Sequence, residues 1–393
     1  MNCNMDLPPD VPKYIGRSWG RMAYLRPVLD RYVRHGLRRS ELKEDHKKGE
    51  ILTSRLRLLG MQITETGIRP CASPVGRIMA YAASKIEALS DIISTEMQSL
   101  GPDIRAVIVT DFEKTSATTL VEGVMDDEAG GAIAAFRALA KCDSGDILDP
   151  ILMTGSTVLV DDDLSERFLA AARAWIAERD LDIELRARHE ETYDVIIGRG
   201  KDWIPRYYSI MITEFFQQGL TKCLIGTRGL LGEGWDASKI NVLVDLTTVT
   251  TSMSINQLRG RSIRLDNDWP EKVANNWDIV CFADEFTNGF KDYARFEKKH
   301  KQLYGVCDDG AIEKGIGHVH AAFTEAEPEG VSEGMNLFNE EMLMRSRNRG
   351  KTRDLWGIGQ PFSAHPRAAV ETKSNDDNFG MGSGFKFLSL IHI

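Results

Sequence analysis

Gln257, Arg261 and Arg264 lie within Gln257-Leu-Arg-Gly-Arg-Ser-Ile-Arg264, the part of the chain where residue type and spacing speak most directly of chemistry. Side chains three or four positions apart share one face of a helix, so this spacing predicts two guanidinium groups at a helix start, aimed at one anion. Arginine stays charged and offers a planar fork of donors that matches phosphate oxygens. In phosphoryl transfer such a group stabilises the charge spreading over the transferred phosphoryl, an effect of about 10³ to 10⁵ in rate. Gln257 lies one turn earlier, placed to orient water or touch a terminal phosphate, while Arg259 faces elsewhere toward an acid. The plainer alternative is a capping box of Ser254 and Gln257 with surface salt bridges from the arginines.

The elements that position this group start upstream. An apolar strand, Lys222 to Gly226, leads into Thr227, Gly234 and Asp236, spaced Thr-x6-Gly-x-Asp, and a second strand, Asn241 to Leu246, precedes a helix from Ser254. Together the two segments resemble motifs V and VI of superfamily 2 (DEAD/DEAH-type) helicases. The strand-forming run Arg105 to Ala117 matches the position of motif IV. The resemblance covers about Ser84 to Ala283 and describes the C-terminal, second RecA-like lobe of a two-lobed motor. It implies that Gly234 and Asp236 face ATP, that Thr227 touches the nucleic-acid backbone, and that Gln257, Arg261 and Arg264 close on the phosphates. It also implies ATP with Mg²⁺ as cofactor, DNA or RNA as partner with DNA slightly preferred, and a first lobe in cis upstream or in trans.

The first lobe's motifs are missing from the reading. Gly350-Lys351-Thr352 imitates the end of a phosphate loop, but Arg345 stands where the first glycine belongs and a helix precedes it. Asp284 and Glu285 imitate a metal-binding box, yet they follow the arginine motif and read as a strand-end turn. His318 and His320 have no third ligand in range, the six cysteines are scattered singly, and no metal site is expected. The expectation is therefore a fragment of a longer protein, inactive alone, that serves as the second motor lobe of an ATP-dependent helicase or translocase. The alternative is a non-catalytic nucleic-acid clamp or protein-docking module of the same fold.

Around the motifs, helix alternates with apolar strand: a helix from Ser84 to near Gly101, strand Arg105–Phe112, helix Ala132–Lys141, strand Pro150–Val160, helix Ile210–Gln218 and strand Trp277–Phe282. This alternation predicts a three-layer α/β lobe with a parallel sheet. Four parts follow: a basic helical segment over 1–80, the lobe over 81–288, a helical extension over 289–360 with a last helix near Asn336–Arg347, and a disordered tail over 361–393. The abrupt apolar ending GFKFLSLIHI reads as a fusion scar or misread end.

An insertion at about 165–208 departs from a compact lobe. It reads as a helix from Phe168 to Arg179 and a loop in which Arg199, Lys201 and Arg206 alternate with Trp203, Tyr207 and Tyr208. Basic groups among aromatic faces can track a backbone and stack bases, and the competing reading is a loop that packs its own aromatics.

Composition agrees with an ordinary globular chain: 393 residues, 42% hydrophobic, 27% charged and a formal net charge of −9. The charge is uneven, since Lys13 to Arg57 holds 13 Lys or Arg against 5 Asp or Glu. That run reads as a solvated helical face, favoured over a phosphate-tracking surface. With neither a signal-peptide pattern nor an apolar run of about 20 residues, a cytoplasmic location and no membrane partner are expected.

Overall fold

The computed structural model describes residues 26–58, 61–70, 83–111, 113, 131–142, 145–231, 235–284 and 289–357. The Pro-rich start, the C-terminal tail and Gly234 lie outside them. The chain divides into two units, Met1–Met79 with Thr118–Val124, and Ala80–Ala117 with Met125–Ile393.

In the first unit, helical turns from residue 26 lead through Tyr32–Gly36 into α1 (Lys43–Leu58), followed by an antiparallel pair, β1 (Met61–Thr64) and β2 (Gly67–Pro70). A purely helical segment was expected; the strands form because Met61 and Ile63 alternate inward and Gly67, at φ +134°, closes the turn. Val33, Leu37 and Leu56 complete a small core. Arg31, Arg38, Arg39, Lys43 and Lys47 are exposed, the solvated face that their spacing suggests, and Arg34 pairs with the buried Asp30.

The second unit is built on an eight-stranded sheet. Its elements in chain order are α2 (Ala83–Leu100), β3 (Ala106–Thr110), α3 (Ala132–Ala140), β4 (Ile151–Met153), β5 (Val158–Asp161), α4 (Asp162–Glu178), β6 (Glu184–His189), β7 (Tyr193–Arg199) and α5 (Pro205–Gln218). Then come β8 (Cys223–Thr227), β9 (Val242–Asp245), α6 (Ser252–Ser262), β10 (Asn275–Asp278), α7 (Lys291–His300), the hairpin β11 (Tyr304–Val306) and β12 (Ile312–Lys314), α8 (Met335–Arg347) and α9 (Arg349–Trp356).

Strand order in the sheet is β10-β9-β3-β8-β4-β5-β7-β6. The first five are mutually parallel and the last three add antiparallel, so the expected parallel sheet is in fact mixed. The central strands are buried on both faces. Val107, Val109, Leu224 and Leu243 point to one core with α4 and α5, while Ala106, Ile108, Ile225, Val242 and Val244 point to another with α2 and α3. Helices therefore cover both faces, giving three layers. Phe168 and Phe216 anchor one side and Phe136 the other, each fully buried and worth about 1.5–3 kcal/mol.

Two expectations fail for local reasons. Pro150–Val160 is a hairpin, because Thr154–Thr157 turns the chain and the Glu113 carboxylate accepts hydrogen bonds from the hydroxyls of Thr154 (2.5 Å), Ser156 (2.6 Å) and Thr157 (2.5 Å). Of the loop expected around Arg199 to Tyr208, Arg206 to Tyr208 belong to α5, and the chain up to Arg199 forms the hairpin β6–β7, which widens the sheet. Its exit needs Gly200, where φ is +111° and a Cβ would lie 1.9 Å from the Asp182 carbonyl oxygen. Elsewhere α2 starts at Ala83, one residue before the expected Ser84, and the strand expected at Trp277–Phe282 lies earlier, as β10.

The C-terminal helices belong to the sheet's unit. Glu96 of α2, fully buried, accepts from Asn275 Nδ2 at 2.9 Å and Trp277 Nε1 at 2.7 Å and pairs with Arg349 of α9. At the other end of β9 and β10, Asp245 and Asp278 stand side by side in register. Lys299 Nζ bridges them at 2.5 Å to each, and Arg259 pairs with Asp278. Burial alone would raise Asp278, but Lys299 and Arg259 hold it well below the usual carboxylate range. His300 lends its Nε2 to Arg259 at 3.1 Å while Nδ1 meets the Phe296 carbonyl at 2.9 Å, the pattern of a neutral imidazole. Burial pushes it down to about 4. No helix among the described residues is long and apolar enough to cross a membrane.

Two outcomes are expected from this network. Lys299→Met leaves two buried carboxylates adjacent with one cation, and denaturant unfolding should show a loss of about 3–5 kcal/mol. His300 is depressed from its ordinary 6.5, so below that value the unfolded chain binds more protons than the folded one. Its contribution is therefore present above pH 6.5 and is lost as pH falls toward 4, and unfolding of His300→Gln followed across that window should show a flatter acid limb than the parent.

Candidate functional site

The crossover from β8 to β9 runs past the C-terminal turn of α6, and this is where Asp236, Arg261 and Arg264 meet. Trp235 anchors the crossover: only 8% exposed, it donates from Nε1 to Thr213 Oγ1 at 2.6 Å and packs with Ala237, Ile240 and Leu258. Asp236 follows it into solvent and forms an ion pair with Arg264. Gly234 falls outside the described residues, so its place beside Asp236 rests on the sequence alone.

The three arginines take three jobs. α6 starts at Ser252 after the N-cap Thr251, so Ser254 lies within its first turn, and Ile255 and Leu258 turn inward. Arg259 goes to Asp278 as described. Arg261, expected at a helix start, lies in the last turn; the residue is 6% exposed, and its guanidinium donates to the Leu231 carbonyl and sits 5.8 Å from the Trp235 ring centre. Burial and the nearby Arg264 lower its pKa. Arg264 lies beyond the helix end, exposed. The two side chains thus do not converge on one anion: one faces inward and the other outward. Cations suit a helix C-terminus, whose partial negative charge favours them by about 0.3–1 kcal/mol and disfavours an anion equally. Gln257 is exposed on α6.

Sequence reading missed Lys272. Buried at 8% exposure, its Nζ donates to the carbonyls of Ser238, Ile240 (3.0 Å) and Ser262 (3.2 Å). Three acceptors need three N–H groups, so this geometry calls for the ammonium form although burial pushes the pKa down to about 8. The residue clasps the crossover to the end of α6. Its acceptors are backbone atoms from distant segments, so no motif announces it.

Thr227 lies elsewhere, half-buried at the carboxyl end of β8 beside Thr110 of β3. Strand connections leave β3 toward β4 and leave β9 toward β10, so the order reverses between β3 and β9, and the carboxyl ends beside such a reversal are the usual ligand position in open α/β sheets. Asp111 spans the reversal, accepting from Thr248 N (2.7 Å) and Oγ1 (2.6 Å), with Arg228 Nε at 3.7 Å.

Because β7 runs in the same direction as β4, the turn after Arg199 reaches this same end, and Tyr208 OH donates to the Thr154 carbonyl at 2.6 Å. Arg199, Lys201 and Arg206 are exposed. Trp203 is half-buried, its ring 5.0 Å from that of Tyr208, and a Cβ on Gly198 would collide with it. Trp203 and Tyr208 therefore pack on each other, while the three cations face solvent.

The remaining motifs resolve plainly. Gly350-Lys351-Thr352 lies within α9 and makes no strand-to-helix loop. Asp284 accepts from Ser332 Oγ at 2.9 Å, and Glu285 lies outside the described residues. His320 faces Glu341 at 2.6 Å whereas His318 stacks near His300, so the two histidines do not share a site. Compared with known proteins, the chain matches no family model, no curated protein and no solved structure.

Replacing Lys272 with Met should cost about 1–3 kcal/mol by leaving buried carbonyls without donors. Hydrogen exchange should quicken selectively over 236–240 and the end of α6; uniform quickening across the sheet would contradict the clasp.

Proposed function

We propose that this chain supplies the second motor lobe of an ATP-dependent DNA or RNA helicase or translocase. The observation that carries the reading is the Asp236–Arg264 ion pair: the segment after Thr227 and the segment after Gln257, matched separately in sequence, are adjacent in space. The RecA-like character of the lobe is part of the proposal, supported by the parallel block with its order reversal at β3 and by helices on both faces.

The residues present fit a triphosphate in part. Arg264 and Gln257 are exposed and can face an anion, once Arg264 exchanges Asp236 for phosphate oxygens. Arg261 is committed to the Leu231 carbonyl and Trp235, and so orients the crossover rather than touching the nucleotide. Bound ATP would supply the phosphoryl group whose transfer to water drives motion, with Mg²⁺ held mainly by the first lobe. This chain's part is to place one guanidinium where charge develops and to exclude water as the lobes close. Arg199, Lys201, Arg206 and Thr227, at the shared carboxyl end of the sheet, form the nucleic-acid track.

A second reading has its own support. Arg261 is buried and Arg264 neutralised, which suits a lobe that keeps the fold and acts as a nucleic-acid clamp without hydrolysis.

In a motor completed by the first lobe, Arg264→Ala should lower nucleic-acid-stimulated ATP hydrolysis by about 10³-fold or more, with the melting temperature little changed. Unchanged turnover would sink the motor reading. A clamp would instead bind an oligonucleotide with steep salt dependence and no response to ATP or to that substitution. The isolated 393-residue chain should show negligible ATP turnover in a coupled assay.

A further inference from the structure

We propose that Asp161, Asp162 and Asp163, where β5 turns into α4, bind a hard divalent cation of the Mg²⁺, Mn²⁺ or Ca²⁺ class. One carboxylate oxygen from each residue lies within 4.8 Å of the others. The second and separate observation is the state of Asp161. It is 2% exposed, no donor among the described residues hydrogen-bonds its carboxylate, whose oxygens keep a narrow opening to solvent, and although it occupies the N-cap position it does not cap its own helix. A buried carboxylate without donor or counter-charge is costly, and natural structures hydrogen-bond or pair such groups.

The nearby cations are already engaged. Arg167 reaches Asp149 at 2.6 Å and Lys222 donates to the Ile147 carbonyl at 2.8 Å. Asp146, Asp149, Asp162 and Asp163 all add negative potential at Asp161, which burial and these neighbours push up to about 7. What is missing is positive charge directed at Asp161.

The donor set selects the ion. It is all oxygen, with no imidazole or thiolate, which suits hard cations rather than zinc or copper. Two oxygens bound to one such ion at about 2.0–2.6 Å are at most about 5 Å apart, so the spacing needs little adjustment. Asp162 and Asp163 are exposed, leaving the outer side of the ion open to water. The positive end of α4 opposes a cation, but it carries only about half a charge against three carboxylates. Asp161 NH donates to the Pro150 carbonyl at 3.2 Å, which puts the cluster at the amino end of β4, opposite Thr227. The cation site is thus separate from the proposed nucleotide and nucleic-acid sites and independent of that reading.

The test titrates Mn²⁺ alone into the full chain, following free Mn²⁺ by electron paramagnetic resonance, with Ca²⁺ and Mg²⁺ as competitors and thermal melts in parallel. One Mn²⁺ should bind below millimolar concentration and raise the melting temperature. Asp161→Asn should weaken binding at least tenfold while raising the cation-free melting temperature, since it removes the repelled charge. If that variant does not fold, the exposed pair Asp162→Asn with Asp163→Asn should show the same weakening. No binding by the parent chain at millimolar Mn²⁺, or equal binding by the variants, would overturn the site and leave Asp161 as a buried protonated acid.

Discussion

Two carboxylates that the sheet forces together govern the edge on which the arginine helix rests. Parallel pairing of β9 and β10 sets Asp245 against Asp278 in a buried setting, and neither strand can stay in register unless that charge is balanced. Lys299 from α7 and Arg259 from α6 provide the balance, so one electrostatic requirement fixes a helix on each side of the strand ends. His300 completes the arrangement as a neutral acceptor rather than a third cation. Buried ion pairs add little net stability over apolar packing of the same volume, but a partly satisfied one is strongly unfavourable. The effect of this network is therefore on geometry: it leaves α6 one position, with Gln257 outward and the helix end against the β8–β9 crossover.

From that position the remaining arginines divide by burial. Arg261, on the same side of α6 as Leu258, is drawn under the crossover by the Trp235 ring and the Leu231 carbonyl. Arg264, past the last turn, is free of the helix repeat and finds Asp236 in solvent. Lys272 then closes the loop by joining three carbonyls that would otherwise lack donors. The exposed pair is the adaptable part of this assembly, since surface ion pairs are worth only about 0–1 kcal/mol. The buried contacts around it, from Arg261 and Lys272, hold the crossover and the helix end rigid.

Much of this was legible in residue order because it depends on short-range patterns. The runs around Val107, Leu224 and Leu243 are apolar on both faces, the mark of central parallel strands, and β3, β8 and β9 appear within a residue or two of where those runs predict them. The helix repeat located α2, α3 and α8 in the same way. The hairpins were harder to read. Ile151–Asp161 is apolar throughout, so hydrophobicity alone does not mark the reversal at Thr154–Thr157; Glu113, distant in sequence, secures it. In β6 only Leu185 is buried, because an edge strand needs few apolar residues, and its charged sequence carries little apolar signal to announce it.

The sequence by itself determined the alternation of helix and buried strand, the nearness along the chain of the Thr227–Asp236 and Gln257–Arg264 segments, and the basic side chains at 199–206, since each is a matter of residue order and local periodicity. Only the tertiary structure decided which arginine is available. Arg259, Arg261 and Arg264 are chemically alike and nearly adjacent, but their environments are set by Asp278, Leu231 and Asp236, which chain folding brings from three other segments. The same holds for Lys272 and Asp161: one finds three carbonyls and the other finds no donor, because burial and long-range neighbours, not residue type, set the cost of a charge.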